Sequence, residues 1–127
     1  VKHTHDGFES VMDCGKIGSE YFVPSLAFYA EAKYFNTCLN RKISLSSDGF
    51  LKNCPSFKNN FGHIAQKSIL DTINDQNFKK YWTIRKDEVQ VCCNCEFRYV
   101  CSDCRVFIVH EENPFSKPSK CKYNPLH

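Results

Sequence analysis

Nowhere in its 127 residues does the chain carry an apolar run of about eighteen residues, the length a membrane-spanning helix needs, so no segment is expected to cross a bilayer. Its start, Val1-Lys2-His3-Thr4-His5, has no initiator methionine and no apolar signal-peptide core, and it reads as an internal cut in a longer chain. A lopsided charge is missing too. The 17 Lys and Arg stand against 14 Asp and Glu, for a net charge of +3, without the basic clustering that a nucleic-acid footprint requires. Also lacking are a glycine-rich phosphate loop, a Ser/His/Asp set and a motif of paired carboxylates, which removes the usual machinery of phosphoryl transfer and hydrolysis. There is no low-complexity segment and no repeat longer than a C-x-x-C unit.

What the chain has is cysteine. Five of its nine cysteines lie in the thirteen positions from Cys92 to Cys104, where two C-x-x-C pairs, Cys92/Cys95 and Cys101/Cys104, are joined by five residues. Two intervening residues suffice for a tight turn that points both thiolates at one centre. Thiols this crowded invite oxidation and add little packing unless something binds them, so a metal or iron–sulfur site is the economical reading. A secreted disulfide scaffold is the competing one. Against it stand the odd count, the adjacency of Cys92 and Cys93, and apolar stretches that suggest a core needing few staples. Eight ligands and one spare thiol fit two four-cysteine sites. Apolar residues make up 42% of the chain, and a chain of this length buries roughly two-thirds of its unfolded surface, enough for one small domain or a part of a larger protein.

Taken in order, Met12 to Gly18 reads as a turn with Cys14 at its start, and Tyr21-Phe22-Val23 as a short strand ended by Pro24. His3 and His5 share one side of an extended segment and are expected to face solvent rather than a metal. The spacing predicts a helix over 25–36, capped by Ser25, with Leu26, Tyr29, Ala30 and Lys33 and also Phe28, Ala32 and Phe35 repeating at helical spacing, and with its aromatics in the core rather than in a binding box. A hairpin follows over 41–55, turning at Ser47-Asp48-Gly49, where the glycine supplies a positive φ. Cys38 stands at its entrance and Cys54 at its exit, so pairing of the strands brings two distant thiols together. Phe61 to Ile64 reads as a second turn with His63 exposed. Two short helices, over 68–75 and from Asp75 or Gln76 through Trp82, are expected to cover the cysteine-rich part, with Lys79 and Lys80 on the polar face. The end, residues 117–125, reads as an irregular strap bearing Cys121. Neighbouring side chains in extended chain point opposite ways, so Cys93 is expected to be a buried free thiol beside its ligating neighbour, with an alternative ligand as the second reading.

The full spacing is Cys38-x10-Gly49-x4-Cys54, a gap, Cys92-x2-Cys95-x5-Cys101-x2-Cys104, a gap, then Cys121. It resembles the seven-cysteine signature of SPASM domains, the C-terminal auxiliary domains of radical SAM peptide-modifying enzymes. Asn36-Thr37-Cys38-Leu39-Asn40-Arg41-Lys42, Asn53-Cys54-Pro55-Ser56, Cys95-Glu96-Phe97-Arg98-Tyr99, Lys117-Pro118 and Tyr123-Asn124-Pro125 look more closely like the grasp-with-spasm peptide maturases. Two features depart from the family pattern. Two residues rather than three separate Cys101 from Cys104, and 23 residues rather than a few separate the upstream thiol, Cys14, from Cys38.

The resemblance implies an α+β fold: a small β-hairpin, short helices and an irregular cysteine-rich C-terminal segment wrapped around two auxiliary 4Fe-4S clusters. It implies Cys92, Cys95, Cys101 and Cys121 for one cluster, and Cys38, Cys54 and Cys104, completed by Cys14, for the other. Residues 1–24 would be a connector from a missing N-terminal domain and residues 25–127 the cluster-binding domain. The implied partners are a ribosomally made precursor peptide and an ATP-grasp ligase, with no nucleic acid and no membrane, in the cytoplasm. No C-x3-C-x2-C triad occurs, so this segment alone is not expected to cleave S-adenosylmethionine; enzyme status would belong to the full-length protein. A structural zinc module with two four-cysteine sites is the alternative, because its spacing rules overlap.

Overall fold

A computed structural model describes residues 14–127. Regular structure is confined to the first part of that span. Helix α1 covers Leu26–Tyr34, and its first turn is closed as the sequence suggests, the Phe28 N–H donating to Ser25 Oγ at 3.1 Å. Strands β1, Ser44–Leu45, and β2, Leu51–Lys52, pair antiparallel with Leu45 opposite Leu51. Gly49 turns the hairpin at φ +89°. Helices α2, Ile69–Asn74, and α3, Gln76–Lys79, begin at Ser68 and Asp75, whose side chains accept from Asp71 N and Asn77 N. A 3-10 turn over Lys80–Trp82 continues α3.

The core gathers where the hairpin meets α3. Leu51 and Phe78 are buried there, and Phe78 stacks edge-on with both Phe61 and Trp82. Asn53 ties the two elements by donating to the Phe78 carbonyl at 3.0 Å. The second turn is not a bare exposed loop. Phe61 and Ile64 donate to Leu51 and Gly49 across from β2, and Leu51 donates back to Gly62. His63 Nδ1 accepts from Ala65 N at 3.0 Å, so the proton sits on Nε2, which donates to the Asp48 carbonyl at 3.0 Å. His63 therefore clamps the hairpin tip and is half-buried.

Three expectations are corrected: the burial of the α1 face, the covering of the cysteines by α2 and α3, and the strand at Tyr21. Leu26 is 84% exposed and Tyr29 and Phe35 also stay largely exposed, while Ala32 alone in α1 is buried. What docks α1 is the edge of the cysteine block, where the Tyr29 ring meets Tyr99 and the Lys33 ammonium lies 4.7 Å from the Tyr99 centroid. Helix α2 likewise leaves Ile69 and Leu70 exposed. The α2–α3 pair meets the hairpin side through Phe78, by Asn53 and Phe61, and its reach toward the cysteines is Tyr81, which packs on Ile84, Val89 and Cys92. Tyr21 closes a 3-10 turn over Ser19–Tyr21 instead of opening a strand, and the contact that follows is a single bond from Val23 N to the Val100 carbonyl.

From residue 83 onward the chain holds one 3-10 turn, Cys92–Asn94, and no helix or strand. Its backbone is satisfied locally by turns and by a bridge between Ile108 and Pro118 that lays the C-terminal strap along residues 107–109. Residues 14–24 pack on this part, with Phe22 stacked on Phe97. His3, His5, Met12 and Asp13 lie outside the described residues.

Candidate metal centre

Four elements carry the first group of thiols. Cys14 sits in a turn made possible by Gly15 at φ +69°, and a Cβ on Gly15 would meet Cys104 Sγ at 3.1 Å. Cys38 lies in the loop after α1. That loop is held by Asn36, a fully buried side chain whose Oδ1 accepts from Cys38 N at 3.0 Å and Leu39 N at 2.9 Å. Cys54 leaves the hairpin through a turn closed by Phe57 N on its carbonyl. Cys104 is buried, and its sulfur faces the Phe107 N–H at 3.5 Å. The Cys38 thiol is pushed up to about 11, first by burial, with Lys42 drawing it down and the thiols of Cys104, Cys54 and Cys14 pushing it up. Cys54 is raised by burial and by Cys14 and Cys104, against hydrogen bonds from Ser56. A cavity of about 250 Å³ is lined by Cys14, Cys38 and Cys104, together with Asp103; Cys54 does not line it.

The second group is built differently. Cys92 N donates to the Gln90 carbonyl at 2.7 Å across Val91, a γ-turn with φ +68° and ψ −46°. A β-branched residue rarely tolerates that conformation, so the strain marks a backbone forced to present Cys92. The 3-10 turn then brings Cys95 N to the Cys92 carbonyl at 2.9 Å. Cys92 is pushed up to about 11 by burial first, with Lys86 opposing and Asp103 and Cys121 adding to it. Cys101 is raised by burial against Lys86, with Cys121 again among its neighbours. Cys92, Cys101 and Cys121 therefore share one locality. Cys95 stands at its rim beside Tyr123, whose hydroxyl donates to Glu96 at 2.5 Å and whose ring stacks on Phe97.

Three charged side chains are buried among the described residues, and all three lie behind this second group: Lys86, Asp103 and Arg105. Asp103 accepts from Arg105 Nη2 at 2.7 Å and from Asn36 Nδ2 at 2.7 Å, and Lys86 Nζ lies 3.6 Å from its Oδ1. Arg105 Nη1 donates to the carbonyls of Pro114 and Ser116, and its Nε lies 2.5 Å from Asp103 Oδ2 but out of line for a hydrogen bond. Lys86 Nζ reaches Cys92 Sγ at 4.0 Å. Burial pulls the Lys86 pKa down, but Asp103, Cys101 and Cys92 outweigh it and hold the ammonium above the usual lysine range.

Cys93 departs from expectation: it is exposed, not buried, and its sulfur accepts from Asn94 Nδ2 at 3.5 Å. The 3-10 turn, rather than strand alternation, sets its direction outward. The sequence reading missed Asn36, Lys86, Asp103 and Arg105 as site-building residues. Charges set directly between and after cysteines, Asp103 and Arg105, were a readable signal; nothing in the spacing marks Asn36 or Lys86. Among the described residues, no three His, Cys, Asp or Glu side chains are gathered tightly enough to grip a single ion. No helix among them is long and apolar enough to cross a membrane. Compared with family models, with curated proteins and with solved structures, the chain matches none.

Proposed function

We propose that this chain is a SPASM-like module that binds two auxiliary 4Fe-4S clusters within a peptide maturase, one cluster on Cys14, Cys38, Cys54 and Cys104 and the other on Cys92, Cys95, Cys101 and Cys121. The observation that carries the reading is the division of the thirteen-residue block. Cys104 lines one cavity with Cys14 and Cys38 and lies against Gly15, whereas Cys92 lies against Lys86 and lines no part of that cavity. A run of cysteines whose last member serves the other cluster is the arrangement of two-cluster ferredoxins. The donor set fits as well. Buried thiols with raised pKa values are poor thiolates until a thiophilic metal stabilises them, and the buried charges behind the second group sum to one net positive charge, suited to an anionic centre.

The clusters would supply one-electron chemistry, and the chain's own residues would hold them, exclude water and set their fields. A precursor peptide and an ATP-grasp ligase are the proposed partners, and bond-forming chemistry is assigned to the full-length protein. Anaerobic reconstitution with iron and sulfide tests this. The protein should turn brown, with visible absorbance bleached by dithionite. Cys104→Ala should abolish one paramagnetic signal together with Cys38→Ala, and Cys121→Ala should abolish the other. Colourless protein holding two zinc ions, or Cys101→Ala and Cys104→Ala removing the same signal, would overturn the proposal.

A further inference from the structure

We propose that Lys120 is the positioning residue that latches the Cys14 turn against Cys104, so that the first thiol group is complete only when the C-terminal strap is docked. What the latch serves rests on the reading of that group as a cluster site. Lys120 is half-buried, and its ammonium donates to the Cys14 carbonyl, 106 positions away in the chain. The same ammonium lies 4.4 Å from the centroid of the Phe107 ring, whose face attracts a cation. Phe107 is itself held on two sides. Its N–H faces Cys104 Sγ at 3.5 Å, and its carbonyl accepts from Ser119 N at 2.9 Å, beside the bridge between Ile108 and Pro118. A Cβ on Gly15 would meet Cys104 Sγ at 3.1 Å and the Phe107 ring at 3.5 Å. These contacts close a circuit: Cys104 to Phe107, Phe107 to Lys120, Lys120 to Cys14, and Gly15 back to Cys104.

The other cavity-lining thiols are placed without the strap. Cys38 sits in the loop that Asn36 holds, and Cys104 is buried within the cysteine block. Among the described residues, no backbone-to-backbone hydrogen bond reaches Cys14 or Gly15. A charged donor suits the task, because its bond to a carbonyl is stronger than that of a neutral one. Holding two points so far apart in sequence also needs more than local turn chemistry.

The test labels thiols of the anaerobically reconstituted full chain with a pulse of iodoacetamide, read peptide by peptide by mass spectrometry. In the parent protein Cys14 should be protected alongside Cys38. Lys120→Met removes the donor and should speed labelling of Cys14 by roughly tenfold, the scale of one hydrogen bond from a charged group, while Cys38 keeps its protection. Lys120→Arg should restore most of that protection. A general loosening of the domain would raise Cys14 and Cys38 together; that result, or no change at Cys14, would overturn the inference. Should Lys120→Met fail to fold, the lysines of the parent protein decide instead. Acetic anhydride should modify exposed Lys122 roughly tenfold faster than Lys120, and equal rates would overturn the latch. Failure of the parent protein to take up iron would overturn the cluster reading, and the same labelling of the chain as isolated would then decide the latch.

Discussion

Residues 25–82 and residues 83–127 solve the same problem with different materials. The first region has the α-helices and both strands, and it buries Leu39, Leu51 and Phe78 beside uncharged polar side chains, Asn36, Asn53 and Thr72, with no buried charge. The second has turns and one isolated bridge, and its interior combines a small apolar cluster, Ile84, Val89 and Cys92, with a buried ionic triad and thiols. Buried charges of that kind stabilise little on their own, because desolvation offsets most of their attraction. The comparison teaches where a ligand is needed. The first region has a reason to fold by itself; under the proposed two-cluster reading, the clusters would complete the second. The two thiol groups follow suit, since the first draws Cys38 and Cys54 from the regular region while the second draws all four members from the irregular one.

The largest expected effect separates the two regions outright. Structural metal contributes on the order of 10 kcal/mol to a small domain. Removing iron should therefore strip amide protection from about residue 90 onward while residues 25–82 keep much of theirs. Hydrogen exchange with and without iron measures this, and equal protection in both states would erase the distinction.

A smaller effect probes what the irregular region uses as its interior. Asp103→Ala would leave Lys86 and Arg105 buried beside one another without their shared anion, at a cost of roughly 3–5 kcal/mol. Chemical denaturation of the loaded protein should show that loss. A change below 1 kcal/mol (a scale ordinary for a surface pair) would mean that the triad contributes little.

Gly15 sharpens the contrast between the two thiol groups. With φ at +69° and a new Cβ placed 3.1 Å from Cys104 Sγ, Gly15→Ala carries about 1–2 kcal/mol of backbone strain plus crowding at one sulfur. The expected outcome is reduced occupancy of the Cys38 cluster and a normal second signal; equal loss of both signals would show that the groups are not independent. Smallest of all, Ser25→Ala removes the cap of α1 and should cost about 1 kcal/mol in denaturation, with iron content unchanged.

Local chemistry made several elements legible from the sequence. Ser25, Ser68 and Asp75 are caps because a short side-chain oxygen can reach the free N–H groups of a first turn, and Gly49 turns the hairpin because it tolerates a positive φ. The hairpin that carries Cys38 before it and Cys54 after it was legible from its alternation and its glycine turn. Legibility ended where partners are far apart in the chain. Asn36 reaches Asp103 across 67 positions, and Lys86 meets Cys92 through a strained turn at Val91 that no propensity favours. The burial of α1 was misjudged because helical spacing fixes which residues share a face but not whether anything lies against it. By itself, then, the sequence determined the turns, the caps and the crowding of thiols, all of which act over a few residues. Tertiary structure decided which thiols are buried and which charges are buried with them, because burial and electrostatic range depend on distance in space rather than along the chain.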